Sequence, residues 1–220
     1  MPDNFSLLSQ SQNCRRPAAL TCLENVTFMA LFSSLLAEVR ACTICEHHLP
    51  LGPRPVLQLH PKAKILIAGQ APGRKAHESG VPFDDASGKR LREWLGVTRE
   101  VFYEPELIAI LPMGFCFPGT SNSADMPPRL ECAAVWHRQL MAQLCHLEIT
   151  LALGRYAQAH YFGETNLSLT ERVKSWRTYW PHLMPLPHPS PRNNLWIRRN
   201  SWFEIELLPS LRKRVSEILV

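Results

Sequence analysis

Four short apolar runs constrain this chain more than anything else in it: Lys64–Ala68 (KILIA), Leu107–Leu111 (LIAIL), Ile149–Leu153 (ITLAL) and Leu183–Leu186 (LMPL). Each has the length of a strand and none shows strict alternation of apolar and polar residues. Such runs suit strands covered on both faces, as in a parallel sheet with helices on either side. Helical patterns fall between them. Ser87–Leu95 puts Leu91, Trp94 and Leu95 on one face, and Glu131–Leu147, Arg155 to Phe162 and Leu169–Trp176 read as further helices. Phe28–Arg40 is an amphipathic helix ahead of the first strand, and the tail from Leu195 to Val220 is mostly helical, with Pro209 as an internal break. Strands alternating with helices predict an α/β fold, a three-layer αβα sandwich about a central four-stranded parallel sheet. In such sheets, ligands bind where the chain leaves the carboxyl ends of the strands.

The 220 residues fit one domain at about 150 residues per domain. Residues 1–26 are polar and aperiodic and read as a flexible leader, leaving 27–220 as a single domain. Met1–Gln12 lacks a basic start followed by an apolar block, so no secretory signal is expected. No apolar run approaches the ~18–20 residues of a membrane span, and a cytoplasmic monomer is the expectation. The net charge of +5 permits a polyanionic partner without requiring one. Seven cysteines in a reducing compartment read as free thiols or metal ligands.

Three constellations carry chemistry. Gly69-Gln70-Ala71-Pro72-Gly73 directly follows the first strand; its glycines let backbone N–H groups approach a ligand, and Pro72 stiffens the turn. His188-Pro-Ser190-Pro-Arg192 follows the fourth strand, where the prolines fix the directions of His188 and Ser190. A neutral histidine is a good hydrogen-bond donor to a developing anion. The third is the cysteine set: a C-x2-C pair at Cys42 and Cys45, Cys116 in the proline-rich stretch from Pro112 to Arg129, and Cys132 sixteen positions on. Four thiolates suit zinc or a [4Fe–4S] cluster. Cys14, Cys22 and Cys145 read as bystanders.

In this order, the three constellations resemble the uracil-DNA glycosylase superfamily, and most closely its four-cysteine iron–sulfur branch. The family opens its site with G-[EQ]-x-P-[GY] and closes it with H-P-[SA]; between them stands a G-x-P-F segment, here Gly80-Val81-Pro82-Phe83 with Gly88 following. The resemblance covers about Leu35 to the C-terminus. It implies a DNA glycosylase of base excision repair that flips out uracil or another damaged base and hydrolyses its N-glycosidic bond. Phe83 would stack on the flipped base. Gln70 and the backbone of Gly69 and Ala71 would bind base and water, and His188 would donate to the departing base. Pro72, Gly73, Ser190 and Arg192 would press on DNA phosphates. Cys42, Cys45, Cys116 and Cys132 would hold the [4Fe–4S] cluster, with zinc as the alternative.

The chain departs from that family at three points. The first loop carries no carboxylate to orient water, since Gln70 and Ala71 stand there; the acids nearest in sequence are Glu78, Asp84 and Asp85, and Asp84 or Asp85, directly after Phe83, would take that task or select the base. Pro112 stands where the branch has a uracil-pairing Asn, and Arg192 where a Leu wedge is common. These departures keep two other readings open. One is a non-catalytic iron–sulfur DNA-binding or damage-sensing module. The other is a zinc-stabilised fold with a different nucleotide or small-molecule ligand.

Overall fold

The computed structural model describes residues 22–121, 124–163 and 166–220. Its centre is a sheet of β1 (Ile65–Ala68), β2 (Ile108–Ile110), β5 (Ile149–Leu153) and β6 (Leu183–Leu186), in the order β2-β1-β5-β6, with every neighbouring pair parallel. The short strands β3 (Thr120–Ser121) and β4 (Ala124–Asp125) form a separate antiparallel pair within the stretch from Pro112 to Arg129. The four apolar runs thus became the four strands of the main sheet, trimmed by one residue at Lys64, Leu107 and Leu111.

Alternate residues of β1 explain the three layers. Ile65 and Ile67 pack with Leu91, Trp94, Leu95 and Phe203 on one face, while Leu66 packs with Phe32, Leu111 and Leu140 on the other. All four β1 residues are fully buried, so both faces of the central strand are shielded from water. Trp176 joins the first cluster, with Trp180, Trp196 and Trp202 packed against it, as befits core aromatics.

Several boundaries differ from the sequence reading. The first helix runs Cys22–Arg40, so it begins inside the expected leader; the rest of that leader lies outside the described residues. The helix expected over Glu131–Leu147 is Leu130–Cys132, a π-helical turn Ala133–His137, and then Arg138–Met141, where it stops. Pro209 does not break the tail helix. It stands where the π-helical turn Phe203–Leu207 runs into the helix Leu208–Leu219, so its missing N–H falls at the join of the two. Cys145, expected as a free thiol, is disulfide-bonded; sequence spacing carries no information on which sulfurs a fold brings together. The side chains of Cys14 and Cys22 lie outside the described residues. Among the described residues, no helix is long and apolar enough to cross a membrane.

Candidate active site

Three chain segments leave the carboxyl ends of β1, β2 and β6 and meet around one cleft of about 340 Å³. Gly69, Gln70, Ala71, Pro72 and Gly73 line it from the first, Pro112 from the second, and His188, Ser190 and Arg192 from the third. Phe83 and Asp85 complete the wall between them. The first loop is bolted to the second: Met113 N donates to Gly69 O and Gly114 N to Gln70 O, both at 2.9 Å.

Phe83 is held in a constrained geometry. Its φ of 55° is unusual for a residue with a side chain. Tyr103 Oη shares its one proton between Pro82 O at 3.0 Å and Phe83 O at 3.2 Å, and Phe102 packs edge-on at 6.4 Å. Gly88 is required beneath it, because a Cβ there would lie 1.7 Å from the Phe83 carbonyl oxygen. The ring lies 6.5 Å from that of His188, tilted by 33°. Such strained positions persist when their surroundings over-determine them, and they gather at functional sites.

His188 is fixed at its backbone and at its ring. Asn193 Nδ2 donates to its carbonyl at 2.7 Å, and the Ser190 backbone N–H donates to Nδ1 at 3.2 Å. A ring nitrogen that accepts carries no proton, so in the neutral ring Nε2–H is the donor. Burial lowers the imidazole's pKa, against the opposing pull of the Asp85 and Asp125 charges. Arg90 clamps the same loop from below, donating to Ser190 O at 3.0 Å and Asn194 Oδ1 at 2.7 Å.

Asp84 and Asp85 separate. Asp85 lines the cleft and caps the helix Ala86–Leu95, accepting from Gly88 N at 2.9 Å. Asp84 turns away to pair with Arg99 at 3.1 Å and does not line the cleft. The expectation of two acids at the base is therefore corrected to one from this segment, because an N-cap and an outward ion pair send neighbouring side chains in opposite directions. Gln70 lines the cleft, with one amide proton committed: its Nε2 donates to Met126 O at 3.0 Å. Asp125, on β4, also lines the cleft. It was missed because it lies more than fifty residues from the first loop, in a stretch with no motif.

The four cysteines meet elsewhere. Cys42, Cys45, Cys116 and Cys132 line one small void with Leu49, Pro55, Phe115 and Arg129, and none of the four is in a disulfide. Trp136 Nε1 faces Cys42 Sγ at 3.4 Å, and Phe115 N faces Cys132 Sγ at 3.5 Å. Burial, with the repulsion of the neighbouring sulfurs, pushes the Cys116 thiol up to about 11 and that of Cys132 to about 12.

The family model of the uracil DNA glycosylase superfamily matches residues 58–212. The chain belongs to the uracil-DNA glycosylase superfamily. Among curated relatives, a type-4 uracil-DNA glycosylase of Archaeoglobus fulgidus is 30% identical over 152 residues, covering 66% of this chain and 72% of the relative. One from Saccharolobus solfataricus is 28% identical over 141 residues, covering 59% of this chain and 62% of the relative. One from Sulfurisphaera tokodaii is 25% identical over 143 residues, covering 60% and 61%. The match thus spans roughly three-fifths to three-quarters of those relatives' lengths. Ala71 puts no acid in the first loop of the cleft, and Pro112 brings no amide side chain to its wall.

Proposed function

We propose that the protein is a monofunctional DNA N-glycosylase that takes uracil or another damaged base into the cleft and hydrolyses its glycosidic bond. The convergence of Phe83, His188 and the first loop on one cleft carries this reading. It agrees with the activity named for the type-4 relatives.

The flipped base stacks on Phe83, whose ring is pre-set by Tyr103 and Gly88, so little ordering remains to be done on binding. His188 Nε2–H donates to the oxygen that gains charge as the base leaves. Such donors contribute ~2.7–4 kcal/mol to a transition state. Asp85 faces the base as an acceptor. The rigid loops of Pro72, Gly73, Ser190 and Arg192 receive the DNA backbone, whose phosphates supply much of the affinity. The partner is DNA that contains a damaged base, met by a monomer.

The four-cysteine void fits a [4Fe–4S] cluster. Its donors are all soft thiols, and two N–H groups point at sulfur. A cluster held there ties the first helix to the segments carrying Cys116 and Cys132, a structural role remote from the bond being cut.

The test is release of free base from single- and double-stranded oligonucleotides carrying uracil, hypoxanthine or xanthine. Excision by the wild type and its loss in His188→Ala are expected. DNA binding without release from any lesion would overturn the enzyme reading and favour a damage-sensing module.

A further inference from the structure

Hydrolysis needs an acceptor for the proton of the attacking water, because neutral water is a weak nucleophile. The first loop offers none, with Ala71 facing the cleft and Gln70 tied to Met126. Among the described residues, two carboxylates line the cleft, Asp85 and Asp125. One oxygen of Asp85 is spent on the cap of Ala86–Leu95. The backbone of Asp125 pairs with Thr120, while its carboxylate makes no hydrogen bond or ion pair with any described residue.

Asp125 is also positioned rather than merely exposed. Its strand pairs with β3 through Thr120 and Ser121, and Met126 N closes the same turn on Gly119 O at 2.9 Å. The Gln70 amide then fastens the following carbonyl, that of Met126, to the first loop. The result sets Asp125 Oδ2 beside Gly73, 3.7 Å from where a Cβ on that glycine would stand. A carboxylate at this place opposes the binding of a polyanion. Asp125 is exposed at the lip of the first loop, so its oxygens are open to hold a water.

We propose that Asp125 is a catalytic residue, the carboxylate that holds and deprotonates the attacking water, reaching the first loop from the β3–β4 hairpin in place of an acid within that loop. This inference rests on the glycosylase reading above. A lone pair of the water oxygen forms the bond to C1′ of the deoxyribose, and the pair of the C1′–N bond leaves with the base. The water's proton passes to Asp125, and the leaving base takes its hydrogen bond from His188 Nε2–H. Gln70 acts through Asp125 as a positioning residue, by anchoring Met126.

The experiment compares wild type, Asp125→Asn, Asp125→Glu and Asp85→Asn in single-turnover base release. DNA affinity is read by fluorescence anisotropy and stability by thermal melting. On the best substrate of the wild type, Asp125→Asn should slow release by about 100-fold or more, the range of general-base catalysis. Its DNA affinity should be equal or tighter, its melting temperature unchanged, and its rate partly restored in Asp125→Glu. Wild-type rates in Asp125→Asn overturn the inference, as does a loss confined to Asp85→Asn. If the wild type itself releases no base, the glycosylase reading fails, and that result is distinct from failure of Asp125 alone.

Discussion

The Ser190 backbone N–H donates to Nδ1 of His188 across 3.2 Å, and that one bond decides which ring nitrogen carries the proton into the cleft. With Nδ1 occupied as an acceptor, Nε2–H is the group the neutral ring has left to donate. Burial holds the ring's pKa below its ordinary 6.5, so the working form at neutral pH is the uncharged donor. His188→Ala should therefore slow base release by about 100- to 1,000-fold. DNA affinity should change little, and anisotropy beside single-turnover rates separates the two. In wild type, the pH–rate profile should show no loss of activity from His188 between pH 8 and 6.5.

Phe83 depends on two neighbours, Gly88 and Tyr103, that do not line the cleft. Gly88→Ala places a methyl against the Phe83 carbonyl and should cost about 1–3 kcal/mol of stability, with loss of excision because the ring must move. Tyr103→Phe leaves the carbonyls of Pro82 and Phe83 without their hydroxyl donor. It should cost about 1 kcal/mol, with a several-fold fall in turnover. Melting curves and kcat for both variants check this.

Acid should weaken the fold through His137. The ring is nearly inaccessible, its Nε2 bonds Pro112 O at 2.8 Å, and Nδ1 has no partner. Burial lowers its pKa to about 4, with a further push from His160 and an opposing pull from the Pro112 carbonyl. The unfolded chain takes up this proton near pH 6.5 and the native one only near 4. The stabilisation is therefore complete above pH 6.5 and is lost as pH falls towards 4, by about 3 kcal/mol in all. Denaturant midpoints at pH 7.5, 6 and 5 should fall in that order, and His137→Phe should flatten the trend.

The cysteine void predicts a coloured protein. Anaerobically purified wild type should contain about four irons and four sulfides per chain and absorb broadly near 400 nm, whereas a zinc protein would be colourless. Cys116→Ser should lower both the metal content and the melting temperature. Filling the void should release protons, because the raised thiol pKa values of Cys116 and Cys132 keep them protonated without metal. A pH-indicator titration on reconstitution reads that release.

The local elements were legible wherever the cause was local. Ile149–Leu153 and Leu183–Leu186 are strands over their full length, because apolar runs of that size can be buried only between two layers. The loops Gly69–Gly73 and His188–Arg192 announced themselves by glycine and proline, whose backbone limits are intrinsic. The helix expected to reach Leu147 stops at Met141 for a non-local reason: the chain must turn there to enter β5 from the sheet's far end.

Taken alone, the sequence determined the layer architecture, the two site loops and the four-cysteine set, since burial patterns and spacings are written along the chain. Only the tertiary structure decided which acids face the cleft. Asp84 and Asp85 are adjacent in sequence yet point to different partners, Arg99 and Gly88. Asp125 reaches the first loop only because β4 is paired with β3 and its neighbour Met126 is fastened by Gln70. The direction of a side chain depends on contacts closed over long stretches of chain, and no local propensity encodes those.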